Sequence, residues 1–138
     1  MTKPYTVCLA CLVGTTILVV AGSAANAQKS AKSIRDGAYS KAQAVRGGSA
    51  FEKQCLGCHG DPQFGPSVID AREGLPVAEL FEFMRTSMPE DNPGSLQPAQ
   101  YADILAYFLS LRGLPAGDAE LVPDVKALSQ IQIEKPVE

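Results

Sequence analysis

The sequence has few histidine and cysteine residues, the side chains that bind zinc in structural sites. It has a single histidine, His59, and four cysteines. Cys8 and Cys11 share the spacing of Cys55 and Cys58, but they lie inside an apolar N-terminal run and no histidine follows them. A structural zinc site needs a second pair of ligands. That pair is missing from the rest of the chain, which argues against a zinc-binding domain.

The chain also has little positive charge. Its 12 Lys and Arg residues are outnumbered by 15 Asp and Glu, for a formal net charge of −3, and removal of Lys3 together with the apolar N-terminal run would make this −4. A surface of this sign argues against nucleic acid as a partner. It favours a protein partner whose docking face is locally basic.

The N-terminus has the features of an export signal. Lys3 gives a short positive start, residues 5–22 form an apolar run, and residues 25–27 (Ala-Asn-Ala) match the pattern that signal peptidase cleaves. We therefore predict that residues 1–27 are a signal peptide and that the mature chain begins at Gln28, in the bacterial periplasm and with no membrane span left. An uncleaved anchor is the alternative, because about eighteen apolar residues can just cross a bilayer.

Residues 55–59, Cys-Leu-Gly-Cys-His, are the most informative stretch. The spacing is typical of covalent attachment of one c-type haem, with Cys55 and Cys58 each joined to a vinyl group and His59 bound to the iron. A redox dithiol is the alternative, but it needs a thioredoxin-like strand and helix, and the flanking sequence has few β-branched residues. We predict haem attachment.

Apolar periodicity predicts an all-α domain of about three helices and long loops around the haem. The predicted helices are Gly47–Cys55, one that begins near Pro76, and Pro98–Leu111. In the first helix, Gly48 and Phe51 share a face, and the glycine is expected to let a second helix approach closely. Apo-protein is expected to be largely unfolded, because the porphyrin forms part of the core.

The remaining segments lack a clear period. Residues 28–45 are predicted to be a polar lead-in that packs loosely on the domain, and residues 60–74 to be a loop. The haem-binding domain is expected to span residues 46–113. The proline-containing tail, 114–138, either straps across this domain or contacts a partner, and the sequence leaves both possibilities open.

Two internal methionines are candidates for the second axial iron ligand. Met84 lies on the apolar stripe of the second helix, where a packing role is expected. Met88 lies directly before Pro89, which disfavours helical geometry at Met88 and favours an extended conformation. A ligand has to leave its helix to reach the haem face opposite His59, so we predict Met88 as the ligand.

Pro66 is a candidate for supporting the iron-bound histidine. A histidine that ligates a metal usually donates its other ring N–H to a backbone carbonyl, which fixes the ring. The carbonyl of Pro66 is rigidly placed, and we predict that it accepts from His59. An ordinary turn proline is the alternative.

Over about residues 38–123, the chain resembles class I cytochromes c. The resemblance rests on Gly48-x-x-Phe51-x-x-x-Cys55-x-x-Cys58-His59-Gly60, on Pro66, on Met88-Pro89, and on the run Tyr101-Ala102-Asp103-Ile104-Leu105-Ala106-Tyr107. It implies the cytochrome c fold, one covalent haem, and a role as an electron carrier rather than an enzyme.

A narrower likeness is carried by residues 88–96, by 101–104, by 113–117, and by the runs at 36–39 and 43–47. These resemble cytochromes that are joined to, or work beside, pyrroloquinoline-quinone (PQQ)-dependent alcohol dehydrogenases. The likeness implies a separate quinoprotein dehydrogenase as electron donor, because the chain has no propeller repeats, and an oxidase or another cytochrome as acceptor in the respiratory chain. Two alternatives remain: a haem enzyme or gas sensor with an open sixth position, and a subunit of a membrane-bound respiratory complex.

Overall fold

The computed structural model describes residues 33–134. The predicted signal peptide, 1–27, and the predicted mature start, Gln28, lie outside this range. The helices are α1 (Lys41–Gln54), α2 (Leu56–His59), α3 (Phe64–Asp70), α4 (Val77–Ser87), α5 (Pro98–Leu111) and α6 (Val125–Leu128). Three β-bridges of single residues occur in the described range, and there is no β-strand. The all-α prediction is confirmed.

The longest helices, α1 and α5, form the frame of the domain, and they touch at two glycines. A methyl group at Gly47 would overlap the backbone carbonyl of Asp103, whereas one at Gly48 would lie 3.3 Å from the Tyr107 ring. Gly48 therefore lies against α5 as predicted, and Gly47, which the sequence did not single out, makes the closer approach of the two. Phe51 is buried in this contact, as predicted.

Helix α1 begins six residues before the predicted start at Gly47. The Ser40 side chain caps it by accepting a hydrogen bond from the Gln43 N–H at 3.0 Å. The first turns were missed because they contain no apolar stripe. Their buried face instead includes Gln43, whose side-chain amide donates to the Leu121 carbonyl at 2.9 Å and accepts from the Leu121 N–H at 2.8 Å.

The segment before α1 does not pack loosely, so that expectation is wrong for residues 33–40. Ile34 and Tyr39 are buried in the core, and the Tyr39 hydroxyl donates to the Leu114 carbonyl at 2.7 Å. The Ile34 N–H donates to the Gln132 carbonyl at 3.0 Å. These contacts tie the lead-in to the tail.

The tail straps across the domain up to Glu134, where the described residues end. Leu121, Leu128 and Ile133 are buried. The Ile133 N–H donates to the Leu75 carbonyl at 2.9 Å, so the tail is fixed beside the start of α4. The domain limits at residues 46 and 113 stay a prediction, although the segments on both sides share the same core.

The segment predicted as the loop 60–74 contains α3, so that prediction is wrong in part. Ile69 of α3 is buried, and Gly65 lies so close to α5 that a methyl group there would come within 2.6 Å of the Phe108 ring. A helix of seven residues with Gly65 and Pro66 in its first turn shows no clear apolar period, which is why it was missed. No helix within residues 33–134 is long and apolar enough to cross a bilayer.

Candidate haem-binding site

An apolar cavity of about 260 Å³ lies between α1, α3, α4 and α5. Its lining is Phe51, Cys55, His59, Phe64, Val68, Leu80, Phe83, Met84, Met88, Pro89, Leu96, Tyr101, Ile104 and Phe108. Aromatic, aliphatic and sulfur-containing side chains make up most of this wall. Such a surface suits the flat apolar faces of a porphyrin, so the residues present fit a haem.

The predicted attachment residues occupy the junction of α1 and α2. The backbone N–H groups of Cys58 and His59 both donate to the Cys55 carbonyl, at 3.1 and 3.0 Å, which winds residues 55–59 into one tight turn. Cys55 is half-buried and lines the cavity, whereas Cys58 is exposed and does not line it. Burial, and secondarily the nearby Cys58, raises the pKa of the Cys55 thiol.

The His59 ring lies against the aromatic wall of the cavity. It stacks on Phe64 with ring centroids 4.6 Å apart and an interplanar angle of 22°, and its centroid is 6.4 Å from that of Phe51. Phe64 is the first residue of α3, so this short helix places the aromatic ring on which the imidazole stacks. Sequence reasoning missed Phe64 because it placed the residue in a loop.

Met88 lies where α4 ends. It has φ −126° and ψ 147°, so its backbone is extended, while its N–H still donates to the Met84 carbonyl at 2.9 Å. This is the conformation that the following proline predicted. Met84 is buried on α4, and both methionines line the cavity. The assignment of Met88 rather than Met84 as the iron ligand stays a prediction.

A buried tyrosine holds the backbone at this methionine. Tyr101 of α5 is 1% exposed, and its hydroxyl donates to the Met88 carbonyl at 2.6 Å. The sequence placed Tyr101 on the apolar face of α5, and it is buried there. The pattern carried no signal for the hydrogen bond, since a tyrosine on an apolar stripe is expected mainly to pack.

Pro66 lies in the first turn of α3, half-buried and outside the cavity lining. Within residues 33–134, no hydrogen bond joins the His59 ring to the Pro66 carbonyl. The predicted support of His59 by Pro66 therefore stays a prediction.

One positive charge lies beside the cavity. The Arg72 guanidinium is centred 4.9 Å from the Phe83 ring centroid, and it donates to the Val68 carbonyl at 3.2 Å. Phe83 and Val68 both line the cavity. The other described arginines, Arg35, Arg46, Arg85 and Arg112, pair with carboxylates. Arg72 has no carboxylate within ion-pair distance in the described part of the chain.

Residues 42–108 match the family model described as cytochrome C oxidase, cbb3-type, subunit III. The matched segment begins in α1, ends in α5, and includes Cys55, His59 and Met88. No curated protein and no solved structure matches the chain. Cytochrome c domains hold covalently bound haem c and are generally electron carriers that work with redox partners. The match and the all-α architecture together identify residues 42–108 as a cytochrome c domain.

Proposed function

We propose that this chain is a periplasmic cytochrome c with one haem, which accepts single electrons from a quinoprotein dehydrogenase and passes them to the respiratory chain. The observation that carries the proposal is the meeting of Cys55, His59 and Met88 on one apolar cavity, although Met88 is far from the other two in sequence. This set supplies a covalent tether, a nitrogen ligand and a sulfur ligand.

The haem, when bound, supplies the exchange of one electron between Fe(III) and Fe(II). The chain's own residues fix it and set its environment. Cys55 and Cys58 would hold the ring covalently, and His59 and Met88 would supply a nitrogen and a sulfur ligand to the iron in both oxidation states, so little would have to reorganise when the charge changes. A thioether ligand and an apolar wall both favour the reduced state and raise the potential.

Electron exchange would take place near the two attachment cysteines. Cys58 is exposed while Cys55 is half-buried, so a haem attached here would have an edge close to the surface of the protein. Docking at such an edge needs only a small and weak complex, and charge complementarity governs its rate. The net charge of −3 favours partners with a basic docking face.

A second candidate is a haem subunit of a membrane-bound respiratory oxidase. The printed description of the matching family, subunit III of a cbb3-type cytochrome c oxidase, favours it. It differs from a free carrier in its partner, not in its haem chemistry. Fractionation of cells separates the two, because a free carrier is recovered with the periplasmic contents and a subunit with the oxidase in the membrane.

Reduction kinetics test the donor. Oxidised holo-protein is mixed with a substrate-reduced PQQ-dependent alcohol dehydrogenase, and the haem absorbance is followed at low and high ionic strength. The control donor is a different periplasmic dehydrogenase, one that does not use PQQ as its cofactor. Fast reduction by the quinoprotein alone, slowed by salt, supports the proposal. Equal and slow reduction by both enzymes contradicts the assigned donor.

A further inference from the structure

We propose that Tyr101 is the positioning residue for Met88 and that its hydroxyl fixes both ends of the loop that carries this ligand. The loop is residues 88–96. The inference rests on the proposed function, in which Met88 is an axial ligand of the haem iron. It adds a residue that sets how firmly the sulfur is held.

The geometry places one oxygen atom between the two ends of the loop. The Tyr101 hydroxyl donates to the Met88 carbonyl at 2.6 Å and accepts from the Leu96 N–H at a longer 3.4 Å. A phenolic hydroxyl can do both at once, since it has one proton and two lone pairs. The short bond is at Met88 itself, so the stronger restraint acts on the ligand residue.

The loop has few other restraints toward the core. Its residues 90–95 are exposed, and two internal turns close it, with the Asn92 N–H bonded to the Pro89 carbonyl at 3.0 Å and the Ser95 N–H bonded to the Asn92 carbonyl at 3.2 Å. These bonds shape the loop but do not attach it to α5. The Tyr101 hydroxyl does, from a side chain that is 1% exposed on a helix packed against α1.

The alternative is that Tyr101 contributes only to global stability. Tyr39 supplies a matched comparison, because its hydroxyl also donates to a backbone carbonyl, that of Leu114, at 2.7 Å. Tyr39 is buried as well, but it does not line the cavity, and its hydrogen bonds go to Leu114 and Gly117, outside the loop. Tyr39→Phe and Tyr101→Phe therefore remove the same atom and the same type of bond at two places, of which one touches Met88.

Without the hydroxyl, Met88 keeps its position in sequence but loses the anchor of its carbonyl. The bond between the Met88 sulfur and the iron should then be lost under milder conditions than those that unfold the helices. The net contribution of such a hydrogen bond to stability corresponds to roughly a threefold to tenfold change in an equilibrium constant. Carbon monoxide, which competes for the sixth position of the reduced haem, should bind Tyr101→Phe more tightly by about that factor.

The experiment uses the holo-protein, with both variants and the wild type. In urea, the long-wavelength sulfur-to-iron absorption band of the oxidised protein reports ligation, and far-ultraviolet circular dichroism reports the fold. In Tyr101→Phe, the band should disappear at clearly lower urea than the helical signal, and carbon monoxide affinity should rise. In Tyr39→Phe, the two signals should disappear together, with unchanged carbon monoxide affinity.

Two results overturn the proposal, and they differ from each other. If the wild type shows the band and Tyr101→Phe behaves like Tyr39→Phe, Met88 is a ligand and Tyr101 does not position it. If the wild type has no sulfur-to-iron band, the ligand assignment itself is wrong, and the positioning role is lost with it.

Discussion

Gly47 lies directly against the backbone carbonyl of Asp103, at the point where α1 crosses α5. The side chain of Arg46, one residue earlier, reaches the same aspartate and donates to its carboxylate from Nε at 3.1 Å. A backbone contact and an ion pair, both to Asp103, therefore hold α1 against α5 at the same point along the two helices. The turn predicted to attach the haem follows α1 directly, so this crossing sets where Cys55 lies relative to α5.

Gly47→Ala should destabilise the protein, although alanine is the better helix former by about 1 kcal/mol. The added methyl group meets backbone, which cannot rotate away, so the helices have to separate. We expect a net loss of roughly 1–3 kcal/mol, the usual cost of overpacking. Urea denaturation of the holo-protein measures it.

Gly48→Ala is the control for this prediction. Its methyl group would lie 3.3 Å from a carbon of the Tyr107 ring, a side chain that can shift slightly. We expect its stability to stay close to that of the wild type. Equal losses in the two variants would show that the helices do not depend on a close approach at Gly47.

Gln43→Leu should detach the tail from α1. The Gln43 side chain is 2% exposed and satisfies both the N–H and the carbonyl of Leu121. Leucine fills similar space but leaves two buried backbone groups without partners, at a cost of about 1–3 kcal/mol for each. Urea denaturation should show the loss, and limited proteolysis should cut the tail faster.

Gln54→Leu is the matched control, because Gln54 is on the same helix and exposed. It should leave both the unfolding midpoint and the cleavage rate nearly unchanged. If Gln43→Leu is as stable and as resistant as Gln54→Leu, the tail is held by its apolar contacts alone.

Acid should weaken the contact between the tail and α1 through Glu120. Its carboxylate accepts from Arg46 at 2.8 Å, and this hydrogen bond, helped by the charge of Arg46, lowers the pKa of Glu120 below its ordinary 4.5. A carboxylate whose folded-state pKa is depressed stabilises the protein above the ordinary value, and this stability is lost as the pH falls through the depressed pKa. The effect is small and salt-sensitive, since both side chains are about half exposed.

The measurement is the urea midpoint from pH 7 to pH 3 in the wild type, Glu120→Gln and Glu52→Gln. Glu120→Gln should lose less stability than the wild type over the acid part of this range. Glu52 is exposed on α1 and forms no ion pair within the described residues, so Glu52→Gln should follow the wild type. Parallel curves for all three proteins would rule out a contribution from the Glu120 pair.

Prolines made α4 and α5 predictable. Pro76 caps α4, the Met88-Pro89 step ends it, and Pro98 begins α5, so the predicted limits agree with the observed ones within one residue or so. The extended backbone at Met88 follows from the same chemistry. Local steric rules act within a few residues, and the sequence displays them directly.

The features that the sequence did not predict depend on contacts between residues that are far apart in the chain. Gln43 is buried because Leu121 offers it both a donor and an acceptor, so a polar residue occupies a core position. Phe64 belongs to the site because α3 brings it to His59, and Tyr101 because Met88 presents a carbonyl to its hydroxyl. Each of these relations joins residues that are separate in sequence, and apolar periodicity contains no information about them.

If His59 and Met88 both bind the iron of a covalent haem, substitutions at the two methionines should have different effects. Met88→Ala should lose the sulfur ligand and bind carbon monoxide readily when reduced. Met84→Leu nearly conserves volume and should keep both the ligand and a stability within about 1.5 kcal/mol of the wild type. Loss of the ligand in Met84→Leu instead would transfer the assignment to Met84.

The most direct test is the absorption spectrum of the oxidised holo-protein, recorded for the wild type and for Met88→Ala. If Met88 binds the iron of a covalent haem, the wild type shows a weak long-wavelength sulfur-to-iron band and the variant lacks it, with the haem still attached after acidified-acetone extraction in both. A wild type without the band, or a pigment that acetone removes, would contradict this assignment.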